Sequence, residues 1–216
     1  MRATMLVCVA AALSAACASG GRGAAAQEPA QPTQPAAAHA AGQLPGLVPP
    51  GLGTLKQDAF TVSLRSGSLL VKVTPLAEWV IRLAAPDTYT RLHALAESRR
   101  AAASQRMPGG TPQLFLVSFF SYQPDLTYQP EDLQLTSQGR VLRPAAILPI
   151  TGGWGAQRLG QQETQAAVYA FDGTIDYGQP LSVRYGMEEN DAWTDIVATL
   201  DAERGKVQAR AANAPR

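Results

Sequence analysis

The chain has few of the residues that build catalytic and metal sites. Of its 216 residues only two are histidine, His39 and His93, and two are cysteine, Cys8 and Cys17. So little histidine disfavours His-dependent catalysis and zinc binding, and two cysteines near the start exclude a scaffold held by several disulfides. The formal net charge of +1 gives no electrostatic case for nucleic acid binding. This composition predicts no catalytic residues, no metal site, no cofactor and no nucleic acid partner.

The motifs that identify common enzyme classes are also missing from the sequence. It contains no G-x-S-x-G, H-E-x-x-H, P-loop or G-x-G-x-x-G pattern. We interpret His93 as a surface or half-buried residue of a helix, because no nucleophile and orienting group accompany it. Asp172 and Asp176 could offer oxygens to calcium, but they flank a glycine, and a turn explains them better.

The first residues have the pattern of an export signal. Arg2 supplies a positive charge, and the apolar run over 6–12 is shorter than the roughly 20 residues that span a bilayer. Ordinary signal cleavage could occur at the small residues 24–26 (AAA). Alternatively, the run from Leu13 to Cys17 (LSAAC) resembles the lipobox of bacterial lipoproteins, with Ser14 where that family most often has leucine. The resemblance implies that residues 1–16 are a signal peptide and that Cys17 carries the lipid.

Residues 17–55 have the composition of a disordered tether. Alanine, glycine, proline and glutamine dominate this stretch, and its apolar residues follow no period. Such a segment cannot bury enough surface to offset the entropy of ordering it. A lipid-anchored domain needs a spacer of this kind, so we expect the membrane to be a partner and the periplasm or outer membrane to be the location. A soluble periplasmic or secreted protein is the alternative.

The pattern changes after the tether and predicts one β-rich domain over residues 56–209. Alternating apolar residues predict a hairpin over 60–66 and 69–74, and the same alternation predicts a third strand over 79–83. A proline and an acidic residue at the start of 86–105 favour a helix there.

The second half of this domain predicts more short strands and a final helix. The stretch 113–122 is apolar on both faces, which is typical of a central strand. Further strands are predicted over 133–135, 141–142, 165–171 and 181–185. The stretch 145–148, bracketed by two prolines, is predicted to be an edge strand or an extended link. Apolar residues at helical spacing, beginning at Trp193, predict a helix over 190–209, with 210–216 as a frayed tail.

Part of this domain resembles the immunoglobulin-like domains of bacterial exported lipoproteins. The similar features are 115–119 (FLVSF), 130–135 (PEDLQL) before the Gly139 turn, and 168–171 (VYAF). The resemblance implies an antiparallel β-sandwich, and such domains share no common catalytic residues. The predicted fold class is therefore mainly β: an immunoglobulin-like antiparallel sandwich with an inserted helix and a C-terminal helix.

Trp154 and Arg158 are the candidate partner contacts. Trp154 lies in a glycine-rich loop, and tryptophan and arginine are enriched at interface hot spots. The alternative interpretation is that Trp154 folds back and covers the end of the sandwich.

Three functions are compatible with these observations. The first is a non-enzymatic, envelope-anchored interaction or structural module, with another envelope protein as its partner. The second is a carrier that holds an apolar ligand between sheet and helices, in a cavity lined by Phe115, Phe119, Trp79 or Tyr169. The third is an enzyme of unrecognised type.

Overall fold

The part of the chain described by the structure, residues 46–173 and 175–213 of a computed structural model, is mainly β. Its strands are β1 (Val62–Ser66), β2 (Leu69–Pro75), β3 (Gln113–Ser121), β4 (Leu126–Thr127), β5 (Leu133–Ser137), β6 (Arg140–Leu142), β7 (Pro144–Pro149), β8 (Arg158–Leu159), β9 (Thr164–Phe171), β10 (Leu181–Tyr185) and β11 (Glu188–Asn190). Its α-helices are α1 (Glu78–Ile81), α2 (Pro86–Arg106) and α3 (Trp193–Ala212). The short 3-10 helices are Gln57–Phe60, Pro130–Asp132 and Trp154–Ala156.

The strands form antiparallel sheets. One sheet has five strands in the order β1-β2-β3-β9-β7, a second has four in the order β11-β10-β5-β6, and β4 pairs with β8. Every pairing of these strands is antiparallel. The predictions of a mainly β fold, antiparallel sheets and a C-terminal helix are confirmed, and the arrangement is compatible with a sandwich.

Part of the hydrophobic core is formed where side chains of the five-stranded sheet meet the four-stranded sheet. Phe115, Val117 and Phe119 alternate along β3 and are all buried. Phe119 reaches the four-stranded sheet, where its ring centroid lies 5.7 Å from that of Tyr185 on β10. Strand β3 is the middle strand of its sheet, so the predicted central strand is confirmed.

Both edges of the five-stranded sheet carry groups that interrupt backbone pairing. Edge strand β7 begins and ends in proline, at Pro144 and Pro149, and the Arg106 guanidinium donates to the Ile147 carbonyl at 3.0 Å. At the other edge, the side-chain amide of Asn190 donates to the Ser63 carbonyl of β1 at 2.8 Å.

The predicted third strand over 79–83 is wrong, because helix α1 occupies that position. Trp79, Val80 and Ile81 are all buried, so no side of this segment faces solvent. An apolar run without a polar face has neither the period of a half-buried strand nor that of an amphipathic helix.

The first residues that the structure describes differ from the predicted tether. Residues 46–55 belong to the fold: Val48 is 4% exposed, and Leu55 donates its N–H to the Leu83 carbonyl at 3.1 Å. Gly53 passes so close to the same turn that a Cβ there would lie 2.2 Å from the Leu83 carbonyl oxygen. Val48 and Gly53 are buried and Leu55 is hydrogen-bonded, so this stretch is attached to the domain and any tether ends before Val48.

The last helix also differs in its bounds from the predicted 190–209. Glu188–Asn190 form strand β11, and α3 then runs from Trp193 to Ala212. Arg210, placed by prediction in a frayed tail over 210–216, donates to the Leu52 carbonyl at 2.7 Å. Within 46–173 and 175–213, no helix combines the length and the apolar character that crossing a membrane requires.

Candidate functional site

A groove of about 740 Å³ opens beside helices α1 and α3, at the end of the five-stranded sheet where β3 begins. Its walls come from five parts of the described chain and from Arg100 of α2. They consist of Leu47, Leu76, Ala77, Glu78, Trp79, Arg100, Thr111, Pro112, Gln113, Leu114, Ile175, Asp176, Tyr177, Gly178, Val197, Asp201 and Arg204.

The walls of the groove are largely apolar. Trp79 and Tyr177 are both buried and meet edge to face, with ring centroids 5.8 Å apart. Leu47 is 56% exposed, although it is a large hydrophobic residue. Concave, mostly apolar walls with a few polar groups are typical of small-molecule sites.

One polar arrangement on the groove joins Arg204 to Asp201 and Trp79. The Arg204 Nη1 donates to Asp201 Oδ1 on the same helix. The Arg204 Cζ lies 4.9 Å from the centroid of the Trp79 ring, which makes a cation–π contact. The guanidinium is thus held between a carboxylate and an aromatic face.

A second polar arrangement centres on Glu78. Its carboxylate accepts from Arg82 Nε at 2.7 Å and pairs with His93 Nδ1. Partial burial raises the pKa of Glu78, but the bonds from Arg82 and His93 outweigh it and hold that pKa below its ordinary value. His93 is half-buried on α2, and the Tyr89 ring stacks on it at 5.3 Å. The carboxylates of Glu78 and Asp201 are both held in ion pairs. The groove therefore presents fixed polar groups that are suited to binding a ligand.

Trp154, one of the two predicted partner contacts, packs over the end of the aromatic core. Its ring centroid lies 5.9 Å from that of Phe119, 5.7 Å from Tyr128 and 6.4 Å from Tyr169. Burial, together with the charge of Glu163, raises the pKa of Tyr128 to about 12. Trp154 is half-buried, so packing accounts for much of its surface.

Arg158, the other predicted contact, is the exposed residue of strand β8, whose second residue Leu159 is buried. Its Nη2 is 2.9 Å from Asp125 Oδ1, and both side chains are more than half exposed. Neither Arg158 nor Trp154 lines the groove. The contact role of these two residues stays a prediction, and Cys17 lies outside the described residues.

Sequence reasoning did not find the groove. Its lining residues come from segments that lie far apart in the chain, between Leu47 and Arg204. The sequence signal that includes a groove residue is the apolar stripe of α3, to which Val197 belongs. Only the structure shows that Val197 is half-buried, unlike Leu200 and Val207.

Comparison with known proteins finds no similarity on which a family could be assigned. No protein-family model matches the chain, and no curated protein matches it. No solved structure matches it either. The function is therefore argued from the residues of this chain.

Proposed function

We propose that this chain is a lipid-anchored, non-catalytic binding module of the bacterial cell envelope, and that it holds an apolar ligand in the groove. The observation that carries the proposal is the groove itself. Ligand sites typically enclose about 300–1,000 Å³ and combine apolar walls with a few polar groups. A volume of about 740 Å³ beside Trp79 and Tyr177 has this character.

The groove favours the carrier hypothesis in a modified form. Of the four residues expected to line a cavity, only Trp79 does so. Phe115, Phe119 and Tyr169 are each at most 1% exposed and belong to the solid core. The ligand would therefore lie between helices α1 and α3 and the end of the sheet, outside the space between the sheets.

The anchor part of the proposal rests on the sequence. Processing at the lipobox-like run would leave Cys17 as the first mature residue, ahead of an alanine- and proline-rich spacer. The fold begins by Val48, so the spacer could hold the groove away from the membrane. An immunoglobulin-like sandwich in this position also supports a binding role. An interaction with another envelope protein through Trp154 and Arg158 is the second candidate.

The anchor is tested by labelling cells with radioactive palmitate. We expect label on the wild-type chain and none on the Cys17→Ala variant, together with a block of processing by globomycin. Label that persists on Cys17→Ala would contradict the anchor.

The binding role is tested by native mass spectrometry of the chain purified from its own envelope. We expect a non-covalently bound mass on the wild-type protein and its loss from Val197→Trp, which fills the groove. Ala198→Trp is the matched control, because it adds the same bulk at an exposed neighbouring position of α3. Circular dichroism should show the same fold in all three. A wild-type protein without a bound mass, or a mass retained by Val197→Trp, would contradict the binding role.

A further inference from the structure

Two hydrogen-bond donors of the groove lack an acceptor among the described residues. They are the indole Nε1 of Trp79 and the Nη2 of Arg204, and both atoms are buried. Trp79 is only 5% exposed, and the Arg204 side chain is 11% exposed. A buried donor without an acceptor destabilises the fold, so native structures rarely retain one without a reason.

These two donors lie close to each other. The Arg204 guanidinium stands over the Trp79 ring, with Cζ 4.9 Å from the ring centroid. Asp201 accepts from Nη1 of the same guanidinium, and Nη2 has no acceptor among the described residues. Two neighbouring donors on an apolar wall match a ligand that has one polar end and an apolar body. Since neither donor atom is exposed, both the Arg204 guanidinium and the Trp79 ring would have to turn for a ligand to reach Nη2 and Nε1.

The charges around the groove disfavour a charged polar end. Three carboxylates line it, on Glu78, Asp176 and Asp201, against the two guanidiniums of Arg100 and Arg204. Arg82 neutralises Glu78, so these charges balance. Both guanidiniums of the lining are already paired, Arg204 with Asp201 and Arg100 with Glu97, and neither is free for an anionic ligand. A cationic ligand could not accept a hydrogen bond from Trp79 or Arg204, because an ammonium group is only a donor.

We infer that the groove takes a neutral amphiphile: an apolar chain whose polar end carries an uncharged oxygen acceptor, such as an ester or hydroxyl. The acceptor receives hydrogen bonds from Arg204 and Trp79, and the chain lies against Leu76, Leu114 and Val197. This inference rests on the proposed binding function and adds the chemical class of the ligand.

Isothermal titration calorimetry with three probes of equal chain length tests the inference. The probes are monolaurin, laurate and laurylamine, each below its critical micelle concentration. The protein is the chain from residue 18 onward, which contains every described residue but neither the predicted signal peptide nor the lipid. We expect monolaurin to bind at least tenfold more tightly than either charged probe.

Substitution of the donor then tests its role. Arg204→Met keeps the side-chain stem and removes the donor, and should weaken monolaurin binding about tenfold, the loss typical of one hydrogen bond. Trp79→Phe should act in the same direction. Arg65→Met is the matched control, because Arg65 also stands over an aromatic ring, that of Tyr122, but outside the groove. The Arg65→Met variant should bind monolaurin with the same affinity as the parent chain.

Three results would overturn the inference. They are tighter binding of laurate or laurylamine than of monolaurin, no binding of monolaurin to the folded chain, and equal affinities of the Arg204→Met and Arg65→Met variants. None of these three results changes the native mass spectrometry test, in which wild-type protein purified from the envelope carries a bound mass that Val197→Trp loses. Failure of the ligand class is thus distinguishable from failure of the binding function.

Discussion

At the scale of single residues, Glu203 is the buried charge that joins the two ends of the described chain. It is 2% exposed on helix α3 and accepts from the Thr54 backbone N–H at 3.1 Å and from the Thr54 hydroxyl at 2.8 Å. Arg210 Nη1 donates to the same carboxylate at 2.9 Å. Burial raises the pKa of Glu203, but the hydrogen bonds from Arg210 and Thr54 outweigh it and hold that pKa below its ordinary value of 4.5.

Replacing this carboxylate should destabilise the fold. Glu203→Gln keeps the size but removes the charge, and we expect the free energy of unfolding in urea at pH 7 to fall by about 2 kcal/mol. Glu97→Gln is the control: Glu97 pairs with Arg100 on the exposed face of α2. Its substitution should change stability by less than about 0.5 kcal/mol. Equal losses in the two variants would contradict this account of Glu203.

The contribution of Glu203 should also depend on pH. Its pKa is lower in the folded chain than in the unfolded chain, so the unfolded state binds the proton more readily. The stabilisation is complete above the ordinary value of 4.5 and is lost as the pH falls through the folded-state pKa. Urea titrations at stepped pH should show the wild type and Glu203→Gln approaching each other below pH 4.5. A gap that widens on acidification would reverse the sign we derive.

At the scale of secondary structure elements, two glycines test how the ends of the domain are packed. A Cβ on Gly53 would meet backbone atoms of Leu83 at 2.2 Å, whereas a Cβ on Gly205 in α3 would meet nothing within 4 Å. Gly53→Ala should therefore lower the free energy of unfolding by about 1–3 kcal/mol. Gly205→Ala should raise it by about 1 kcal/mol, because alanine favours a helix. Thermal melts followed by circular dichroism give both signs, and a stabilised Gly53→Ala variant would contradict the close packing of residues 46–55.

Strands were predicted well where the spacing of apolar residues reflects the burial of one or both faces. The hairpin of β1 and β2 alternates apolar and polar residues, and β3 is apolar on both faces because it is central. Helix α1 was missed because its four residues are too short to show a period and three of them are buried. Glu188 and Glu189, which directly precede the predicted helix over 190–209, pair with β10 as part of strand β11, and no strand was predicted there.

At the scale of the whole molecule, the ten residues before Lys56 determine where the folded domain begins. A chain that begins at residue 46 should keep the full stability of the domain. A chain that begins at residue 56 loses buried Val48 and leaves Glu203 without Thr54, so its free energy of unfolding should fall by about 3 kcal/mol. Urea unfolding of the two chains measures the difference. Equal midpoints would mean that these ten residues are tether after all.

The groove could not have been predicted at any smaller scale. Leu47, Trp79 and Arg204 are separated by long stretches of chain and meet only when the helices pack on the sheet. Sequence reasoning instead selected Trp154, because a tryptophan in a glycine-rich loop has the composition of a contact site. In the structure this side chain lies against Phe119 and Tyr128, two aromatic residues that no local pattern associates with it.

The blocked margins of the five-stranded sheet bear on how copies behave when they are concentrated. A strand from a neighbour could extend that sheet only by finding a continuous ladder of free amides and carbonyls at β1 or β7. Prolines remove amides at both ends of β7, and side chains from α2 and β11 already occupy carbonyls of Ile147 and Ser63. At high concentration, these domains should therefore not polymerise by adding strands at either edge of the five-stranded sheet.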